Sequence, residues 1–307
     1  MKAILFPGQG SQIVGMGSEF FKNFEIVKKI FDEADNTLNF KISKIILEGP
    51  ENELKLTANT QPAILTVSYA IFSVLKKEFN YDFSTTKFFA GHSLGEYSAL
   101  VCANSLVFKD AIFLLHERGK SMQEAVSVGK GGMLAVLGLD LITINNYINE
   151  INKKGVCEVA NDNAEGQIIV SGDIECIKLL QDILKKDKKK SILLNVSAPF
   201  HCSLMNPAAE AMKDKINSVN FKKPSFDIVC NVTSKPENNP DTLKSLLVKQ
   251  IYSSVRWRES LIYMFSQKIN DYVEIGPGKA LSGMVKRTLK DIKSFSVNSI
   301  DDIKKII

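Results

Sequence analysis

The pentapeptide Gly91-His92-Ser93-Leu94-Gly95 constrains the fold of this chain more than any other stretch. The apolar run Phe88-Phe89-Ala90 leads into it, and an Ala/Leu-rich segment follows Gly95. A G-x-S-x-G pattern set between a strand and a helix is a nucleophile elbow. The turn is too tight for side chains at its two glycines. It lifts the serine hydroxyl above the sheet edge and aims the first N–H groups of the helix at whatever the serine attacks. The serine of an arbitrary G-x-S-x-G is a helix cap. The flanks here favour the elbow, with Ser93 as nucleophile.

The 307 residues allow one large domain or two smaller ones, and 45% hydrophobic content supports a substantial core. The apolar run at the start is short and ends at Pro7, without the long apolar region and cleavage site of a signal peptide. No stretch approaches the length of a membrane span, so the expectation is a soluble, cytoplasmic protein that avoids membranes. The five cysteines, Cys102, Cys157, Cys176, Cys202 and Cys230, are odd in number and contain no C-x-x-C pair. That argues against a disulfide framework and against a zinc site. Cys202 beside His201 raises a thiol nucleophile, but neighbours on an extended chain point to opposite sides. The net charge of +5 comes from lysines scattered over helix faces. No basic–aromatic interleaving marks nucleic-acid binding. A basic patch suits an acidic protein partner or a phosphate-bearing cofactor.

Along the chain, Lys2 to Phe6 reads as a buried strand running into the loop Pro7-Gly8-Gln9-Gly10-Ser11-Gln12. Glycines there allow close backbone approach to a ligand, and the Gly-Lys-Ser/Thr ending of a P-loop is missing. Gln9 and Gln12 offer neutral amides to an oxyanion or a carbonyl; a bland turn is the alternative. Amphipathic helices follow over 15–48. Thr60-Gln61-Pro62 marks the start of a further helix, with Pro62 near its first turn and Gln61 at its mouth. A strand over 87–91 feeds the elbow, and helices over 94–103 and 109–125 come next. In the second of these, Arg118 is either half of an ion pair or a fixed guanidinium for a carboxylate.

Residues 131–197 change character. Strand 133–138, helix 141–152, strands 156–161 and 167–171, helix 173–186 and strand 190–196 form a ferredoxin-like β-α-β-β-α-β unit. Its connecting residues Asn161-Asp162-Asn163 are candidates to face a cleft. Its exit, Ser197-Ala198-Pro199-Phe200-His201, is held extended by Pro199 and puts His201 on a loop between subdomains. The chain has three histidines. His92 adjoins the serine and points away, His116 sits on a helix face, and His201 is the natural general base for Ser93. The last third returns to α/β alternation.

Seven ordered blocks then resemble the malonyl-CoA–acyl carrier protein transacylase family of fatty acid synthesis. They are FPGQGSQ at 6–12, NTQPAILT at 59–66, GHSLGEYSAL at 91–100, RGKSMQEA at 118–125, the N-x-N and GQ elements at 161–167, SAPFHCSLM at 197–205 and VEIGPGKALSGMVKR at 273–287. The resemblance implies a large α/β-hydrolase-like subdomain, 1–125 plus 198–307, with an inserted ferredoxin-like subdomain, 126–197, and a groove between them as active site. It implies that Ser93 is the nucleophile, that His201 is its base, and that the main-chain carbonyl of Gln250 orients the histidine. Arg118 would bind the malonyl carboxylate, and Gln9 with the Leu94 N–H would form the oxyanion hole. Gln61 and Asn161 match positions near the substrate, and Phe200 limits the space around the malonyl carbon.

The implied substrates are malonyl-CoA and the phosphopantetheine thiol of an acidic acyl carrier protein, with no metal or other cofactor. Lys189, Lys190, Lys286 and Arg287 are candidates for a basic docking rim, and the expected state is a monomer. A polyketide-pathway acyltransferase shares these motifs. A serine esterase or thioesterase would want an acidic triad member, and none stands out.

Overall fold

The computed structural model describes residues 1–151 and 153–307. Two sheets organise it. The larger has six strands: β1 (Lys2–Phe6), β2 (Thr86–Gly91), β7 (Asp227–Val229), β8 (Pro236–Glu237), β9 (Asp271–Ile275) and β10 (Lys293–Val297). Their order is β10-β9-β1-β2-β7-β8, parallel except for the short β8 at the edge. The smaller sheet is antiparallel and uses β3 (Gly131–Leu137), β4 (Cys157–Ala164), β5 (Gln167–Asp173) and β6 (Lys190–Leu193) in the order β4-β5-β3-β6. With its two helices, Leu141–Ile151 and Ile174–Lys186, it is a ferredoxin-like unit carried by an α/β-hydrolase-like body. Position 152 of the helix expected over 141–152 lies outside the described residues.

Period-two burial explains the large sheet. Ile4, Phe6 and Phe89 face one apolar cluster, while Ala3, Leu5, Phe88 and Ala90 face another. Parallel strands joined through helices are covered on both faces, so both sets must be apolar. Beneath the elbow the cluster is aromatic. Phe89 stacks on Phe226 at 4.4 Å between ring centroids and meets Phe6 and Phe72 at 5.7 and 5.9 Å. The small unit has its own core, in which Ile177, Leu180 and Leu184 pack under β3 and β5. No helix among the described residues is long and apolar enough to cross a membrane.

Two local expectations need correction. Pro62 does not sit in the first turn of its helix, which begins at Thr57 and runs to Lys77 with Pro62 inside it. A proline there leaves the carbonyl four residues back without its helical donor. That carbonyl, on Ala58, is bonded instead by the His116 ring through Nδ1 at 2.9 Å. The helix tolerates its proline because a side chain from the helix Phe108–Glu124 replaces the missing N–H. The other correction concerns Asn161-Asp162-Asn163, which are not a connection. They belong to β4, whose pairing with β5 shifts register on both sides of Asn161-Asp162.

That irregular strand ties the small unit to the large one. Val255 bridges Asn161, its N–H bonding the Ala160 carbonyl at 2.8 Å while Asp162 N–H bonds the Val255 carbonyl at 3.0 Å. Asp162 is ion-paired with Arg258 at 2.9 Å. Ser203 bonds Glu158 through its N–H at 2.8 Å and its hydroxyl at 2.6 Å. The loop carrying His201 is thereby anchored to both bodies.

The elbow's glycines are set by contact distances. A Cβ on Gly91 would lie 1.9 Å from the Gly95 carbonyl group, and one on Gly95 would lie 2.2 Å from the Phe6 carbonyl oxygen. Both obstacles are backbone and cannot step aside. Gly95→Ala is therefore expected to destabilise the protein by about 3 kcal/mol or more, with loss of Ser93 labelling by a fluorophosphonate. Thermal unfolding and a labelling assay measure the two effects.

Candidate active site

Ser93 stands on the turn between β2 and the helix Gly95–Cys102 with φ of 53°. A left-handed conformation at a residue with a Cβ costs roughly 1–3 kcal/mol and persists only where its surroundings over-determine it. Asn231, just past β7, supplies much of that constraint. Its side chain accepts from Ser93 N–H at 2.7 Å and donates to the Gly91 carbonyl at 2.7 Å, stapling the two arms of the turn. The loop after β1 closes the other side, with His92 N–H bonded to the Phe6 carbonyl at 3.0 Å.

His201 reaches the serine from the exit loop of the small unit. Its Nε2 lies 2.8 Å from Ser93 Oγ, and its Nδ1 lies 2.8 Å from the Gln250 carbonyl oxygen. A carbonyl can only accept, so Nδ1 carries the proton and Nε2 is free to take one from the serine. The carbonyl is available because Gln250 ends the helix Pro240–Gln250, where the last carbonyls lack helical donors. His201 is buried, 5% exposed, and has φ of 59°. Burial, helped by the positive Arg118 nearby and opposed by the bond to Gln250, pushes its pKa down to about 3. The ring is therefore neutral and basic-ready in neutral solution.

Arg118 lies on the inner face of the helix Phe108–Glu124 and is 1% exposed. Its Nη1 donates to Gln61 Oε1 at 2.7 Å; its Nη2 donates to Gln250 Oε1 at 2.9 Å and to Ser93 Oγ at 3.2 Å. Every one of these acceptors is neutral, its Nε–H has no acceptor, and no ion pair to it occurs among the described residues. A buried cation without a bonded counter-ion is costly, by several kcal/mol for an isolated charge. An anionic group arriving beside Ser93 would relieve that cost.

The remaining expected residues fall around this centre. The Leu94 N–H, first beyond the serine, has no acceptor among the described residues, while Ser93, Gly95, Glu96 and Tyr97 N–H groups are all bonded. Gln9 is exposed on the loop beside the elbow, its amide 3.5 Å from Thr57 Oγ1. Gln61 is buried, with its polar atoms on Arg118 and, at 3.8 Å, on Met122 Sδ. Its observed contact is thus a support for the guanidinium. Asn161 is buried on β4 beside Val255, and Phe200 packs in the main core just before His201. His92 turns away from the nucleophile and bonds Asn163 Oδ1 at 2.8 Å. Cys202 is buried, donates from Sγ to the Pro199 carbonyl at 3.1 Å, and burial raises its pKa to about 11, so it is no nucleophile.

Two functional positions escaped sequence reasoning. Asn231 and Glu96 are distant in sequence, yet Glu96 accepts Asn231 N–H at 2.9 Å and Gln250 Nε2–H at 3.0 Å. Glu96 lies one residue beyond Gly95, where an acidic residue reads as an ordinary first-turn helix residue. Nothing local marks it as buried.

Comparison with known proteins agrees with this geometry. Residues 4–304 match the family model described as acyl transferase domain. The malonyl CoA-acyl carrier protein transacylase of Bacillus subtilis is 41% identical over 98% of this chain and 95% of its own length. The protein of that name from Escherichia coli is 39% identical over 96% of this chain and 95% of its own. A crystal structure of acyl-carrier-protein-S-malonyltransferase from Bartonella henselae superposes with a TM-score of 0.96 at 41% identity, covering 99% of this chain and 97% of the other. The chain is an acyltransferase and belongs to the malonyl CoA-acyl carrier protein transacylase family.

The charge state of the histidine has a measurable consequence. A protonated His201 cannot accept the serine proton, so reactivity is lost only as pH falls through its depressed pKa. The rate of Ser93 labelling by a fluorophosphonate is expected to hold from neutrality down past the ordinary imidazole range, with its acid midpoint well below pH 6.5. A midpoint at 6.5 would show that the free enzyme's base is not buried as described.

Proposed function

We propose that this chain transfers a malonyl group from malonyl-CoA to the phosphopantetheine thiol of an acyl carrier protein, supplying fatty acid synthesis, with Ser93 as temporary carrier. The observation that carries the reading is the juxtaposition of a Ser93–His201–Gln250 carbonyl relay with a buried Arg118 that has no directly paired carboxylate among the described residues and whose Nη2 is 3.2 Å from the Ser93 hydroxyl. The relay makes an acyl-enzyme; the cation selects an acyl group that carries its own carboxylate.

In the first half-reaction Ser93 Oγ attacks the thioester carbonyl as His201 Nε2 takes its proton. The oxyanion is held by the main-chain N–H groups of Leu94 and Gln9, both left without acceptors among the described residues. Collapse breaks the C–S bond, the departing CoA sulfur collects the proton from His201, and malonyl-Ser93 remains. The carrier-protein thiol then enters, gives its proton to His201 and attacks the ester carbonyl. Ser93 leaves and takes that proton back. Every step is proton transfer and acyl exchange. Phe200 and Asn161 bound the space around the acyl group, and Gln61 holds Arg118 in place. An esterase role is less well supported, since the relay ends on a carbonyl. A solved complex titled as a type II polyketide acyl-carrier protein with its malonyl-transacylase, 37% identical with a TM-score of 0.95, keeps a polyketide carrier as a second reading for the acceptor.

Intact-mass measurement after addition of malonyl-CoA tests this directly. The native protein is expected to gain one malonyl group and Ser93→Ala none. Arg118→Ala should lose malonyl loading by at least about a hundredfold, as befits a charge-assisted bidentate contact worth roughly 3 kcal/mol or more, while acetyl loading from acetyl-CoA falls far less. An unchanged malonyl-to-acetyl preference in Arg118→Ala would defeat the assignment.

Docking of the carrier protein is proposed to use a basic rim. Lys286 and Arg287 are exposed on the helix Ala280–Thr288, and Arg287 reaches Gln167 of the small unit at 3.0 Å, so the pair straddles both bodies. Lys189 and Lys190 are exposed at the start of β6. Complementary charge acts mainly on encounter rate. Reversing Lys286 and Arg287 to glutamate is expected to slow malonyl transfer to carrier protein about tenfold or more at low salt, with acylation by malonyl-CoA little changed. Equal slowing of both half-reactions would rule the rim out.

A further inference from the structure

The Gln250 side chain does work that its carbonyl does not. While the carbonyl orients His201, the amide lies between Arg118 and a fully buried carboxylate. Its Oε1 accepts from Arg118 Nη2 at 2.9 Å. Its Nε2 donates to Glu96 Oε2 at 3.0 Å and to the Ser93 carbonyl at 3.1 Å, with Asn231 Oδ1 at 3.4 Å. A primary amide has one accepting and one donating end. Whichever group captures the NH2 end therefore decides what the oxygen end faces.

Of the three acceptors, Glu96 is the nearest. It is 1% exposed and stands on the first turn after the elbow, and its Oε2 is pinned by the Asn231 N–H at 2.9 Å. No direct ion pair joins Glu96 to Arg118 among the described residues. The Gln250 amide lies between the two groups, and burial raises the Glu96 carboxyl to about 7, above the usual carboxylate range, so an acceptor oxygen rather than a full charge meets the amide.

We propose that Glu96 is a positioning residue for acyl selectivity: it fixes the Gln250 amide so that its oxygen seats Arg118 beside Ser93. The inference rests on the reading that Arg118 holds the malonyl carboxylate. Reach and acceptor position matter more than charge in this arrangement. Two substitutions separate them. Glu96→Asp keeps a carboxyl group but withdraws it by one methylene from Gln250. Glu96→Gln keeps the reach, and the Asn231 N–H holds its amide oxygen toward Gln250.

The experiment compares kcat/KM for malonyl and acetyl loading of Ser93 in native protein, Glu96→Asp, Glu96→Gln and Arg118→Ala, with thermal unfolding followed in parallel. Glu96→Asp is expected to lower the malonyl-to-acetyl ratio about tenfold or more, the scale of a lost bond to a charged group, mostly through a higher KM for malonyl-CoA. Glu96→Gln is expected to retain most of the ratio. Equal losses for both acyl groups would reduce Glu96 to a structural role and overturn the proposal. So would an unchanged ratio in Glu96→Asp, or a larger loss in Glu96→Gln than in Glu96→Asp. If Arg118→Ala leaves the ratio unchanged, the carboxylate-binding reading fails with it. If Arg118→Ala shifts the ratio and Glu96→Asp does not, only the positioning role fails.

Discussion

The site depends on a cation kept buried beside a nucleophile without a bonded counter-ion. Taking a guanidinium out of water costs several kcal/mol even after relaxation, and hydrogen bonds to neutral oxygens recover only part of it, at roughly 1.5–3 kcal/mol each when one partner is charged. Gln61, Gln250 and Ser93 supply such bonds to Arg118, and the Nε–H is left over. The deficit is a stored preference for an anion. It sets a demand on the surrounding framework. Were the helix Phe108–Glu124 free to move, the guanidinium would reach solvent and the preference would vanish. His116 on the same helix fastens it to Ala58, the carbonyl exposed by Pro62.

The same framework carries the strain. Ser93 and His201 both hold positive φ, and each is fixed by groups from a different part of the chain. Asn231 clamps the elbow from beyond β7, and Glu158 of β4 holds Ser203 two residues past the histidine. The small unit thus fixes the loop that brings His201 to Ser93. Its irregular strand, bridged by Val255 and locked by the Asp162–Arg258 pair, makes the two bodies one geometric reference for Ser93 and His201.

Much of this is readable in the sequence alone. The elbow was legible because its glycines answer a steric demand of the local backbone, and local demands leave local signatures. The βαββαβ unit was legible because its periodicities change at the glycine run near 131. His201 stood out because Pro199 keeps the segment before it extended and the other two histidines have poor positions. What stayed hidden was cooperative. The interior place of Pro62 depends on a histidine fifty-odd residues away in another helix. The membership of Asn161-Asp162-Asn163 in β4 depends on pairing with β5 across a two-residue turn, where polar side chains look like loop until Arg258 and His92 answer them. Glu96 and Asn231 became visible only when three segments met at the Gln250 amide.

That meeting point also accounts for the neutral third member of the relay. A carboxylate in place of the Gln250 carbonyl would hold the His201 tautomer equally well and would stabilise the imidazolium better. It would also bring a full negative charge into the buried site that holds Arg118, and opposite unit charges about 4 Å apart attract by about 4 kcal/mol at an effective dielectric of about 20. Such a charge would offset, from within, the deficit that the proposed reading reserves for an acyl carboxylate. A helix-end carbonyl avoids this. It carries a partial negative charge sufficient to hold the ring, and leaves His201 strongly depressed and ready as a base. Glu96, a carboxylate in the neighbourhood, is kept behind the Gln250 amide. On the proposed reading, acyl choice and a neutral His201 are therefore two results of one charge arrangement, in which the negative group that pairs with Arg118 comes from the substrate.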